Sequence, residues 1–323
     1  MKWIKRILGG ISLLLLVVLV LEVLPVPKYE KENRWRKESN DGDVLVMSHA
    51  GGRLINPGNT MRAFTYSFDL GVDVLEMDVQ MTMDEVLVLR HGENETGNIR
   101  DRSNCDGLLY EMNYQDVYEN CNFGYHFMST DGTYPYRDLS FEEWVSEGVY
   151  LTTLEEVFST FGSDTLYNIE IKADGDAKRI EIADQLIALI NEYDLEEYVL
   201  VATAFQDISE YISLNHPEVY LSTSEAEARD MVLKSLTFRS VFYNPTTYSS
   251  LQLPVSFGFP VIEELNLTSH RLLRLTHKHN MAMHYWTIND EDEMKRLIAA
   301  GADGIITDNP ALLIRVIEEL NNN

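Results

Sequence analysis

The feature that most constrains this chain is an alternation. From residue 43 to the C-terminus, short apolar runs of strand character are each followed by a helical stretch. The runs are DVLVMSHA (43–50), VDVLEMDV (72–79), TLYNIEIKA (165–173), YVLVATAF (198–205), VYLSTS (219–224), SVFYN (240–244), MAMHYWTI (281–288) and ADGIITD (302–308). A further short run, EVLVLRH (85–91), is expected to pair near the second. Helices are predicted over 59–71, 153–162, 177–193, 207–217, 225–238, 269–280, 290–301 and 310–320. Strand–helix alternation of this kind builds parallel sheet, because each helix carries the chain back across a face. Eight repeats predict a closed (β/α)8 TIM barrel, with a doubly wound open sheet as the alternative. Residues 92–150 break the rhythm, rich in Asn, Asp, Gly and Tyr, and read as a small insertion. Its aromatic residues predict a satellite hydrophobic core, the alternative being a cap over a bound group.

The second run contains VLEMDVQ (74–80), with Glu76 and Asp78 two residues apart in apolar company. On a strand both carboxylates share one face, where they repel unless something positive lies between them. In a barrel of this class the working groups stand at the C-terminal ends of the strands. His49, Glu76, Asp78, His91, Glu170, Lys172, Trp286, Asn289 and Asp308 all fall there. Three converging carboxylates, Glu76, Asp78 and Glu170, call for a cation. All-oxygen ligands suit a hard divalent ion, Ca²⁺ or Mg²⁺, better than Zn²⁺. His49 and His91 beside such an ion are suited to general acid and base work near neutral pH.

The N-terminus is of another kind. MKWIKR is basic, and no charged residue occurs from Ile7 to Leu21. As a helix, residues 7–27 would span roughly 31 Å, about one bilayer core. The apolar run ends in VLPVPKYE, without a small-x-small cleavage site. Residues 1–27 are therefore expected to be an uncleaved transmembrane signal anchor, 28–42 a basic linker and 43–323 the barrel. The body is expected on the extracytoplasmic side of the cell membrane, from the compact signal-like layout. A bare count of flanking basic residues would favour the inside. Residues 1–37 carry a net charge of +5 and the remainder −31. A body so acidic does not bind nucleic acid through its bulk field. The linker either rests on anionic lipid or is simply solvated. Cys105 and Cys121 are the only cysteines. They would pair in an oxidising compartment and stay free in a reducing one.

SHAGGRLINPGNTMRAF, LGVDVLEMDVQMT, VLVLRHG, TLEEV, IEIK and HYWTINDEDEMKRLIAAGADGIITDNP occur in this order from about residue 44 to 315. The series resembles the motifs of the glycerophosphodiester phosphodiesterase family. The resemblance implies a TIM barrel with a small insertion, and metal-dependent hydrolysis of glycerophosphodiesters to glycerol 3-phosphate and an alcohol. It implies catalytic histidines at His49 and His91, and metal ligands at Glu76, Asp78 and Glu170. It also implies a phosphate-side lysine at Lys172 and a pocket aromatic at Trp286. The nucleophile in such enzymes can be the substrate's own glycerol hydroxyl, giving a cyclic phosphate first.

Three positions depart from the family pattern. Ala50 stands where an Arg is usual and Gly58 where a Glu is usual, so two opposite charges are lost together. Arg53 is the candidate replacement in substrate binding. Gly92 replaces an Asp after His91, and Glu93 is a weak substitute partner for that histidine. These departures keep a second class of reading open, a catalytically inactive, membrane-tethered binding module on the same barrel. A related phospholipase or lyase that stops at a cyclic phosphate is the third. The expected partner is a small-molecule or lipid-derived phosphodiester.

Overall fold

The computed structural model describes residues 2–92, 98–172, 178–259 and 262–322. Eight parallel strands form the body: β1 (Leu45–Ser48), β2 (Val74–Met81), β3 (Leu166–Ile171), β4 (Val199–Ala202), β5 (Tyr220–Leu221), β6 (Ser250–Leu253), β7 (Ala282–Tyr285) and β8 (Gly304–Thr307). Each pairs with its sequence neighbours, and β8 pairs with β1. A single bridge, Ser222 to Ser250, joins β5 to β6 and brings the ring to closure. This is the expected barrel. The strand Leu87–Leu89 runs antiparallel on the end of β2.

The sixth strand is displaced from its expected place. SVFYN forms a 3-10 turn over Ser240–Phe242, and the strand is Ser250–Leu253, SLQL. Ser250 and Gln252 alternate with Leu251 and Leu253, so the run lacks a continuous apolar signal. Its polar residues face the barrel interior, where Gln252 donates to Asn168 at 3.3 Å. An antiparallel pair, Ser256–Phe259 with Ile262–Asn266, follows it.

Period-two alternation sorts β2 cleanly. Leu75, Met77 and Val79 enter the large core between strands and helices. Val74 joins a second cluster inside the barrel, with Leu45, Met47, Leu200, Tyr220 and Ile306. Glu76 and Asp78 share the inward face with Val74. The inner cluster is completed from outside the barrel by Tyr29 and Trp35, the latter fully buried.

Residues 28–42, expected to be a linker, thus form a strap across the base. Asn33 donates to the carbonyls of Ser249 and Asn280 at 2.7 and 2.8 Å. The Tyr29 amide donates to the His279 carbonyl at 2.9 Å, and the Trp35 carbonyl meets His284 Nε2 at 3.0 Å. The driving force is burial of two large aromatic side chains, worth roughly 2–3 kcal/mol each.

Residues 98–151 carry short helices at Tyr114–Asn120 and Phe141–Ser146. They form two small cores, one around Ile99, Leu109 and Val117, the other around Tyr136, Trp144 and Tyr150. The satellite-core expectation holds. Cys105 and Cys121 are joined as a disulfide across 16 residues.

Asp303 knots strap and base together. It accepts from the amides of Met283 (2.7 Å) and Lys37 (3.2 Å) and pairs with His277 Nε2 at 2.7 Å. Burial opposes its ionisation, but these partners outweigh burial and hold its carboxyl below the usual range. A depressed folded-state pKa stabilises the fold above the unfolded value, near 4, and the stabilisation is lost as pH falls through the folded value. Asp303→Asn is expected to cost about 2 kcal/mol in urea unfolding at neutral pH. The difference from the parent protein should shrink as pH falls below the unfolded value near 4 and through the folded one.

Candidate active site

Strand register assembles the acidic cluster. Asp78 lies opposite Glu170, and Glu76 opposite Asn168, across β2 and β3. One carboxylate oxygen from each of Glu76, Asp78 and Glu170 falls within a 4.8 Å group. Glu76 and Asp78 are buried, and Glu170 is half-buried. Burial, with Asp78 and Glu170 as anionic neighbours, pushes Glu76 up to about 8. Burial likewise raises Glu170, against the opposing pull of Lys172. Asp78 is lowered despite burial, because Lys172, His91 and His49 face it. Lys172 Nζ lies 2.8 Å from Glu170 and 3.6 Å from Asp78.

The carboxylates are held from behind. The Ala50 amide donates to Glu76 Oε2 at 2.7 Å. Asn59 grips Asp78 twice, its side-chain amide donating to Oδ2 at 2.9 Å and its carbonyl oxygen accepting from the Asp78 amide at 3.1 Å. Asp78 Oδ1 is buried without a hydrogen bond. A buried carboxylate oxygen that accepts no hydrogen bond among the described residues and faces the Lys172 ammonium at 3.6 Å, within the three-acid group, is a donor arrangement that suits a hard divalent cation. The residues present fit such an ion.

His49 and His91 stand edge to face, ring centroids 6.0 Å apart. Asp308, just past β8, takes His49 Nδ1 at 2.6 Å, fixing the ring so that Nε2 is the nitrogen left open. Burial opposes the protonated form of His49, but Glu76, Asp308 and Asp78 together raise its pKa. Burial lowers His91, with Lys172, His49 and Arg102 adding to it against Asp78. Among the described residues His91 Nδ1 is buried without a hydrogen-bond partner. Glu93, the substitute partner considered for this histidine, lies outside the described residues.

Asp308 also accepts from Arg53 Nε at 2.9 Å and from Asn289 at 2.8 Å. Asn289 in turn accepts from the Asp308 amide at 2.9 Å. Sequence reading placed Asn289 and Asp308 at the rim without a task and overlooked Asn59. The signal available was positional, TIND and TDNP at the ends of β7 and β8 and PGNT before a helix.

The lost charge pair has a steric counterpart. A Cβ on Gly58 would lie 3.0 Å from the Ala50 Cβ and 2.8 Å from the Arg53 Cβ. Positions 50 and 58 are therefore neighbours, and Arg53 packs against the space a side chain at 58 would need. Gly51, at φ +75, would bring a Cβ to 2.8 Å from Ala63, so only glycine fits there.

These groups open on a cavity of about 560 Å³. His49, Arg53, Glu76, His91, Glu170 and Lys172 line one end, and Leu253, Pro254, Phe257, Leu267 and Trp286 line apolar wall. No described residue of the insertion does so. The eight residues given a catalytic, metal-binding or substrate role from the sequence lie at this one pole. Seven line the cavity directly, and Asp78 stands behind Glu76 and Glu170.

A match to the Glycerophosphoryl diester phosphodiesterase family spans residues 49–312. The chain belongs to this family. It is thereby a phosphoric diester hydrolase. A glycerophosphodiester phosphodiesterase of Caldanaerobacter subterraneus is 29% identical over 285 residues, covering 85% of this chain and 98% of that protein. A rat protein, Lysophospholipase D GDPD1, is 24% identical, covering 85% of this chain and 86% of its own. An Oleispira antarctica phosphodiesterase, solved with the product sn-glycerol-3-phosphate, shares the fold at TM-score 0.62. It is 17% identical, with 85% of this chain and 96% of that one covered.

If Asp308 holds His49, Asp308→Asn should lower kcat by about 100-fold with little change in KM. Asn289→Ala, one bond further out, should lose about 10-fold. Steady-state kinetics on a glycerophosphodiester check both.

Proposed function

We propose that this is a membrane-anchored, metal-dependent glycerophosphodiester phosphodiesterase, releasing glycerol 3-phosphate and an alcohol by paired histidine acid and base catalysis. The observation that carries the reading is the three-carboxylate group flanked by two histidines in one cavity. Glu76, Asp78 and Glu170 would hold the ion, Ca²⁺ or Mg²⁺. Bound there, it supplies Lewis-acid stabilisation to a phosphoryl oxygen.

The chain's own residues do the rest. His49, kept in one orientation by Asp308, gives its Nε2 proton to the departing alkoxide oxygen. His91 takes the proton from the attacking hydroxyl, whether water or the substrate's glycerol. Lys172, which lines the cavity beside Glu170, would present its ammonium to a phosphate oxygen. Arg53 stands in for the arginine missing at 50, presenting its guanidinium at the cavity wall. Trp286 and the apolar wall receive the alcohol.

The tether is the helix Lys2–Val23. Its Arg6–Val23 window has mean hydropathy 2.4 and no burial against the body, the length and composition of a span. A body on the extracytoplasmic side accords with the Cys105–Cys121 disulfide.

The test is release of glycerol 3-phosphate from glycerophosphocholine and glycerophosphoethanolamine under Ca²⁺, Mg²⁺ or chelator. Turnover should require the metal. It should fall by 100-fold or more in His49→Ala and His91→Ala, roughly the scale of acid–base catalysis. Folded protein that turns over neither substrate with either metal would instead favour the inactive binding module. A cyclic phosphate as the sole final product would favour the lyase reading.

A further inference from the structure

The two ends of the barrel differ in more than chemistry. The N-terminal helix meets the body at the base, the pole opposite the cavity. Glu22, in its last turn, pairs with Arg271 at 2.6 Å and Arg274 at 3.1 Å. Lys278 donates to the carbonyls of Glu22 and Leu24 at 2.7 and 2.8 Å. The chain is then bonded at Pro27 to His279, at Tyr29 to His279 and Asn280, and at Asn33 to Ser249 and Asn280. It next reaches Trp35, the plug of the barrel floor. Bonded at every few residues, the connection has no slack to carry the helix round to the mouth.

Beside this exit lies an exposed apolar patch. Phe242 is 65% exposed, Leu236 50% and Phe238 40%. All three lie at or just beyond the end of the helix Glu225–Leu236, on the turn that returns to β6. Arg271 stacks on the Phe238 ring at 4.2 Å and Arg239 stands exposed on the same turn, on a body whose balance is otherwise strongly acidic. On the helix Glu225–Leu236, Asp230 is engaged by Lys234. The N-terminal helix passes beside the turn Ser240–Phe242 yet leaves the Phe242 side chain exposed.

We propose that this patch rests on the bilayer that the helix enters, so that the cavity opens away from that bilayer. The inference rests on the anchored-phosphodiesterase reading and narrows its substrate. Exposed aromatic and leucine side chains rimmed by basic residues suit the headgroup boundary of an anionic membrane. The occupant follows from continuity, because the membrane-spanning helix is fixed to the same pole. Along β2, Asp78 stands four residues above Val74 of the floor cluster, about 13 Å at the rise of a strand. A lipid of the same bilayer would have to leave it and travel around the barrel to reach the acids. The substrate class is then a phosphodiester that arrives through water, not a lysophospholipid seated in the anchoring membrane.

The experiment uses the full chain in vesicles of phosphatidylcholine and phosphatidylglycerol. With both native cysteines in the disulfide, one introduced thiol can be labelled alone. A bimane label goes on Phe242→Cys at the base, or on Leu54→Cys or Met83→Cys at the mouth, and doxyl lipid is the quencher. The base label should be quenched at least about twofold more than either other label, as a boundary-inserted group would be. Equal quenching, stronger quenching at the mouth, or failure of the chain to float with the vesicles would overturn the proposal. In the same vesicles, added glycerophosphocholine should be cleaved and bilayer-embedded lysophosphatidylcholine spared. Preferential cleavage of the embedded lipid would overturn the substrate assignment. Cleavage of neither, with the label pattern intact, would overturn the hydrolase reading and the substrate class with it, while leaving the membrane contact standing.

Discussion

Three carboxylates on two adjacent parallel strands repel one another, and the structure around them is built to keep them together. Asp78 and Glu170 are register partners, with Glu76 one step below on the same inward face. Nothing in the strand pairing relieves their repulsion. It is offset by groups from elsewhere, the Ala50 amide on Glu76, the Asn59 side chain on Asp78 and the Lys172 ammonium between Asp78 and Glu170. Burial raises what each negative charge costs, which is why Glu76 is pushed up to about 8. A divalent cation would remove that cost in one step, which is the physical case for the proposed metal site.

The rest of the mouth follows from the same arrangement. The turn that delivers the Ala50 amide also carries His49 and Arg53, and both bond Asp308 from β8. One carboxylate thereby orients a histidine and an arginine that approach from the same turn, while Asn289 from the end of β7 braces it. The departures at Ala50 and Gly58 make sense as one event. The two positions touch, so an Arg and a Glu there would have faced each other, and removing both leaves neither charge unpaired. Arg53 now packs into this space.

The sequence made the barrel legible because outward faces of the strands are apolar and helices alternate with them. It made the acids and histidines legible because a period of two and the C-terminal rim locate them. It misled where an inward face is polar. Ser250 and Gln252 hide the sixth strand, while the apolar Val241, Phe242 and Tyr243 of a 3-10 turn imitate one. It misled again at residues 28–42, where charge dominates the composition and only Tyr29, Asn33 and Trp35 carry the packing. Asn59 and Asp308 escaped assignment because their task is to hold other side chains. Such a task depends on contacts 19 and 259 residues away in sequence, which no local pattern encodes.

The most direct measurement is calorimetric titration of the intact protein with Ca²⁺ and with Mg²⁺, alongside Asp78→Asn. One divalent ion should bind per parent chain, and the variant should lose that binding while its circular dichroism spectrum is unchanged. No binding by the parent protein, or equal binding by a folded Asp78→Asn protein, would contradict the claim that these carboxylates are a metal site.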